Sequence, residues 1–231
     1  MFKARRVLCI VSVLVLMLVG VPGDVRAAVT VGEVALLRGG ASLVPTGGGA
    51  VRALTRGSPL YEGDVVEVGD DGLLGLLFND GSRFWLGAGA RMRIDQVAND
   101  DQPVFSAAIL RGAFRFVTGL VAKRRVGAMR VATGAVATIG IRGTTVGGEV
   151  QGDAATIVLL ADADDPARAT AIEVANAHGQ VVLDRAGFGT RVPDAHSPPS
   201  PPERMSLRAI DNLARNIQSI QRIAVPRPAL P

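Results

Sequence analysis

Short apolar runs cut by glycine recur along the chain from Val29 onward. Over residues 29–43 the apolar positions are Val34, Leu36 and Leu37, closed by Gly39-Gly40. Gly63-Asp64 precedes an apolar run at 65–68, the pattern of a turn followed by a strand. Residues 73–78 and 83–86 read as two further strands joined by Asn79-Asp80-Gly81-Ser82. Asp-Gly between apolar strands is the strongest local hairpin signal, because both central residues tolerate positive φ. Met92 and Ile94 alternate with Arg91, Arg93 and Asp95, as a half-buried strand should. Residues 104–110 and 113–118 read as separate strands divided by Arg111-Gly112, with Phe114 and Phe116 on one face and Arg115 on the other. The β pattern continues over 149–160. A second hairpin signal, Asn176-Ala177-His178-Gly179, lies between 171–175 and 180–184, and a last short strand covers 190–192.

The chain is organised around residues 137–144, A-T-I-G-I-R-G-T. β-Branched Thr138, Ile139, Ile141 and Thr144 favour extended backbone there. Gly140 and Gly143 bracket Ile141 and Arg142, and glycine in a strand pattern marks a bend or a close backbone approach. The expectation is a buried strand that turns sharply twice, with Arg142 bracing neighbouring carbonyls or a carboxylate.

The two ends differ from the middle. Lys3, Arg5 and Arg6 precede an apolar run at 7–21, which Pro22-Gly23 breaks ahead of Val25-Arg26-Ala27. This is the pattern of a secretory signal peptide cleaved after Ala27. The run is shorter than the ~20 residues that a spanning helix needs. At the other end, residues 194–202 are rich in proline and serine and read as an extended linker. Ser200, Pro201 and Glu203 fit a capped helix start. Ile210, Leu213, Ala214, Ile217 and Ile220 then fall on one side at helical spacing, giving an amphipathic helix over 203–224 with a tail at 225–231. That helix either docks on its own domain or serves as a partner-binding or self-pairing element.

Charge and composition narrow the possibilities. Hydrophobic residues make up 48% of the chain and aromatic residues 4%, which suggests a core built mostly from Val, Leu, Ile and Ala. Four of the 25 Lys and Arg lie in the first 27 residues, with the single acid Asp24, leaving 21 basic against 20 acidic residues beyond. A near-neutral mature chain lacks the concentrated basic surface that nucleic-acid binding needs. Lys123-Arg124-Arg125 is the densest basic run and reads as a solvated loop. Cys9, the sole cysteine, falls within the leader, so the mature chain forms no disulfide.

Reactive constellations are missing from the pattern. His178 sits in a turn and His196 in the linker, so neither a nitrogen–sulfur metal cluster nor a serine triad is suggested. No cofactor is expected. The acidic turn at 162–165 does not have EF-hand spacing. Gly140-Ile141-Arg142-Gly143 matches the G-x-x-G of KH domains, but a KH loop joins helices and this one lies in β pattern. Asp70-Asp71 and Asp100-Asp101 are paired acids in turns, which leaves carboxylate glycosidase chemistry as an alternative.

Several motifs in order resemble the FecR domain. They are Gly63-Asp64 before an apolar strand, Asp80-Gly81 in the hairpin, Gly112 with Phe114 and Phe116, and Thr138, Ile139, Gly140, Ile141, Arg142, Gly143 and Thr144. The resemblance covers about 29–150, and the hairpin region to 193 looks like the extension of stand-alone secreted members. The best-known members regulate iron uptake through a cytoplasmic anti-sigma segment, one membrane span and a periplasmic sensing part. Here an export leader stands where the cytoplasmic segment would be. The resemblance therefore implies an all-β periplasmic module, β-solenoid-like or a β-roll or sandwich, that binds another protein or an envelope polymer. The expected organisation is a leader at 1–27, a FecR-like domain at 28–150, its β extension at 151–193, the linker, the helix and the tail. The expected activity is binding, signalling or scaffolding without catalysis. The alternatives are an envelope hydrolase or lyase, and a structural protein that self-assembles through its terminal helix.

Overall fold

The computed structural model describes residues 29–45, 49–98, 101–125, 127–141, 143–161 and 170–206. The leader, Asp100, Arg142, the acidic turn at 162–165, and the helix positions Ile210, Leu213, Ile217 and Ile220 lie outside the described residues.

In chain order the strands begin with β1 (Thr30–Arg38), β2 (Ala41–Val44), β3 (Arg52–Ala53), β4 (Pro59–Tyr61), β5 (Val65–Val68), β6 (Leu73–Phe78) and β7 (Arg83–Leu86). Next come β8 (Arg91–Ala98), β9 (Val104–Val117), a short helix α1 (Leu120–Arg124), β10 (Met129–Thr133), β11 (Ala137–Ile141) and β12 (Thr145–Gln151). The last are β13 (Ala154–Leu160), β14 (Ile172–Asn176), β15 (Gly179–Leu183), β16 (Phe188–Val192) and β17 (Glu203–Arg204).

These strands form two open sheets. The first runs β4-β1-β6-β7-β9-β12-β13-β16-β17. The second runs β3-β2-β5-β8-β9-β10-β11-β14-β15. The ladders are antiparallel except for β9 with β10. The all-β expectation holds. The stacked parallel rungs of a solenoid are not what these pairings build, because tight hairpins reverse the chain instead of winding it.

Strand β9 belongs to both sheets. Its first half pairs with β8 and β10, and its second half with β7 and β12. The two strands expected around Arg111-Gly112 are therefore one strand that changes sheets. Gly112 sits at the crossing with φ +88°, and a Cβ there would lie 2.6 Å from Ala90 Cα. Both facts exclude a side chain at this bend.

The sheets face each other across a core with an aromatic centre. Phe84 from the first sheet stacks on Phe105 from the second, with ring centroids 5.4 Å apart. Phe78 meets both rings edge-on, and Phe116 stacks on Phe84. Phe114 continues the series through Phe116. Five of the seven phenylalanines are thus buried together, each contributing on the order of 1.5–3 kcal/mol by transfer from water. A low aromatic content is compatible with an aromatic centre when the few rings are gathered in one place.

Other local expectations need correction. Gly140 lies mid-ladder between Arg130 and Glu173, so the chain does not turn there. Gly143, with φ +81°, does turn it. In the β6–β7 hairpin only Gly81 takes positive φ; Asp80 does not. Lys123 and Arg124 close α1 instead of lying in a loop.

The helix start at Ser200 is also overturned. The Ser200 hydroxyl accepts the Arg191 amide at 3.0 Å, and Glu203–Arg204 pairs with Phe188 and Gly189 as an edge strand. Edge pairing satisfies the backbone there in place of helical capping.

Candidate protein-docking surface

The motif residues are distributed, and most of them build structure. The Asp64 carboxyl accepts the Tyr61 amide at 2.9 Å and closes the turn into β5. Gly63 N donates to Ile94 O at 2.6 Å, and Ile94 N donates to Asp64 O at 2.9 Å, which ties that turn to β8. Asp64 is only 5% exposed, and burial pushes its carboxyl pKa above the usual range against the Tyr61 bond.

Asp80 and Thr144 meet through residues that carry no motif of their own. Ser82 donates its amide and its hydroxyl to the Asp80 carboxyl at 2.9 and 2.8 Å. The Ser82 hydroxyl in turn accepts the Gly119 amide at 2.9 Å. Thr118 N donates to Thr144 O at 3.1 Å, and Thr144 N donates to the Thr118 hydroxyl at 2.8 Å. A Cβ on Gly119 would strike the Asp80 carbonyl and the Ser82 amide nitrogen. The knot is buried and binds the β6–β7 hairpin to the end of β9 and the start of β12. It also seats α1, because Leu120 N donates to Asp80 O at 2.7 Å. Thr138, Ile139, Gly140 and Ile141 lie in β11, within the second sheet. Gly112 forms the sheet crossing, and Phe114 and Phe116 belong to the ring stack of the core.

The paired acids do not converge among the described residues. Asp70 and Asp71 occupy the turn before β6, and Asp101 is exposed ahead of β9. Among the described residues no group of three or more His, Cys, Asp or Glu is placed to hold a metal ion. His178 and His196 do come together, with rings 6.2 Å apart, because Asn176 Nδ2 donates to Ser197 O at 2.8 Å and holds the Pro-rich stretch against β14.

The outward face of the first sheet presents a more distinctive surface. Cross-strand register places Leu36, Gly75, Trp85, Arg115, Gly147, Val158 and Gly189 in one row from β1 to β16. Three glycines in that row form a shallow trough that Leu36, Leu160 and Met205 partly fill, and Val158 within it is fully buried. Along one side of it run Leu77, Val117 and Leu160, all half-buried, with exposed Arg83 and buried Thr145 between them, and along the other run Ala113, Glu149, Thr156 and Arg191. The Leu160 side chain leans over Gly147, 3.0 Å from where a Cβ would be.

At mid-trough the Arg115 guanidinium lies over the Trp85 ring, 5.5 Å from its centroid. Burial lowers the Arg115 pKa, and its Nε has no hydrogen-bond partner. Trp85 is half-buried on the outward side. The Trp85–Arg115 pairing is not legible in the sequence because it depends on strand register between β7 and β9. A shallow trough with apolar and charged walls, and one desolvated cation stacked on an indole, is chemically suited to gripping a protein segment.

Residues 64–163 match the family model described as FecR protein. The resemblance read from the ordered motifs is therefore present. Two crystal structures from Parabacteroides distasonis ATCC 8503, provisionally described as an anti-sigma factor, are similar in fold. They are 12% and 13% identical, each with a TM-score of 0.49, and each match covers 64% of this chain. The chain spans about 62% of the length of those structures. No curated protein matches the sequence. Among the described residues no helix is long and apolar enough to cross a membrane.

Proposed function

We propose that this chain, FecR-like over residues 64–163, is a non-enzymatic signalling or regulatory module that docks a partner protein on the outward face of its first sheet. One observation carries the reading. Trp85, Arg115, Gly147 and Val158, the middle of the trough, all fall inside the matched span. The FecR-like span thus supplies the middle of the surface, with Leu36 and Gly189 at its ends lying outside it. The leader at 1–27 delivers the module to the periplasm, where its partner is an envelope protein.

The test is capture. Immobilised mature chain should retain a discrete protein from envelope extract, and Arg115→Glu should cut retention at least tenfold by reversing the stacked charge. Retention that Arg115→Glu leaves unchanged contradicts the assignment of the face. Turnover of a cell-wall glycan that is lost on changing Asp70, Asp71 or Asp101 would replace the reading with the hydrolase or lyase.

A further inference from the structure

We infer that His178 and His196 form a two-histidine site for a divalent transition-metal ion of the zinc, nickel and copper class, which staples the Pro-rich strap at 194–200 to the β14–β15 hairpin. The pair sits at the β14–β15 turn of the second sheet, whereas the proposed docking face belongs to the first, so the two stand or fall separately.

Each histidine is placed by backbone that is itself held. Asn176 pairs with Gly179 across β14 and β15, so Ala177 and His178 make a two-residue turn. Asn176 Oδ1 accepts the His178 amide at 2.9 Å. On the strap, Asp194 Oδ1 accepts the His196 amide at 2.8 Å, and Ala195 packs against the core. Ser200 fixes the far end. Its amide donates to Arg191 O at 2.8 Å, and its carbonyl accepts the Thr190 hydroxyl at 2.7 Å. The two turns are then joined. Asn176 Nδ2 donates to Ser197 O at 2.8 Å, so one side chain shapes the first turn and clamps the second. Gly179 lets the strap approach, because a Cβ there would lie 3.0 Å from Pro198 Cβ.

The two rings are exposed, with centroids 6.2 Å apart and planes at 64°. A metal–nitrogen bond of about 2.1 Å puts each ring centre roughly 3.2 Å from an ion, so rings sharing one ion have centres roughly 5 to 6.4 Å apart. The pair stands inside that range, and exposed rings adjust by side-chain rotation without disturbing a core. Two imidazoles suit zinc, nickel and copper, whereas calcium and magnesium take oxygen ligands. The His196 amide and the Ser197 hydroxyl hold the Asp194 carboxyl below the usual carboxylate range. Both oxygens of that carboxylate are engaged in these bonds. Asp194 therefore supplies negative charge beside the pair and not a third ligand, and solvent completes the coordination.

Calorimetric titration of the tag-free mature chain with Zn²⁺ tests the site, with Mg²⁺ as the control metal. A single equivalent of Zn²⁺ should bind, and Mg²⁺ should give no heat of binding. His178→Ala and His196→Ala should each weaken Zn²⁺ binding at least tenfold. The double variant should bind no more weakly than either single one, because one imidazole alone does not chelate. Zn²⁺ should also raise the Tm of the unaltered chain and leave that of His178→Ala unchanged. Both side chains are exposed, and circular dichroism confirms that the variants keep the β spectrum. Unchanged Zn²⁺ affinity in either single variant overturns the inference. So does binding at half an equivalent with a dimeric mass, because the ion would then bridge two copies instead of stapling one.

Discussion

Remove the Ser82 hydroxyl and two buried groups lose a partner at once. The Asp80 carboxyl loses its second donor, and the Gly119 amide loses its acceptor. Each unsatisfied group costs about 1–3 kcal/mol, so Ser82→Ala should destabilise the chain by about 2–4 kcal/mol in denaturant unfolding. A loss below about 0.5 kcal/mol, the scale of an ordinary surface substitution, would mean that the knot contributes nothing. The sequence announces half of this arrangement. Asp80-Gly81 is a turn signal, and Gly81 takes the positive φ that the signal requires. The other half, Thr118 and Gly119, lies far along the chain and arrives only because β7 pairs with the second half of β9. No local pattern carries that information. Trp85 and Arg115 are hidden in the same way, each legible as a strand residue but not as a stacked pair.

Strand identity is easier to read than strand destination. Residues 65–68, 73–78 and 83–86 form β5, β6 and β7 within the bounds expected from alternation and turn chemistry. Strand β9 reads as two because glycine normally ends a pattern, whereas here it lets one strand pass between sheets. Gly112→Ala should therefore cost about 3 kcal/mol or more, combining left-handed backbone strain with overpacking against Ala90. Gly152→Ala is the matched control. Gly152 also has positive φ, but nothing lies within 4 Å of its would-be Cβ, so its loss should stay near 1–2 kcal/mol. Equal Tm losses for the two variants would contradict the close approach at the crossing. The helix signal at Ser200 misleads for a related reason. Serine, proline and glutamate cap helices well in isolation, but an open edge at β16 offers their backbone a ladder to join.

At the scale of the whole molecule, the alternating pattern specifies two buried inner faces and leaves the outer faces to be judged by register. Sequence motifs locate the FecR-like span but not the face it builds, because the trough is a row across seven strands. Under the proposed function, this outward row, and not the second sheet, is where the module meets its partner. Site-specific photocrosslinking in intact cells tests it most directly. A photoreactive residue in place of Leu77, beside the trough, should give a discrete intermolecular adduct with an envelope protein. The same residue in place of Val182, 52% exposed on β15 of the second sheet, should give none. Adducts of equal yield at both positions, or an adduct at Val182 alone, would contradict the account.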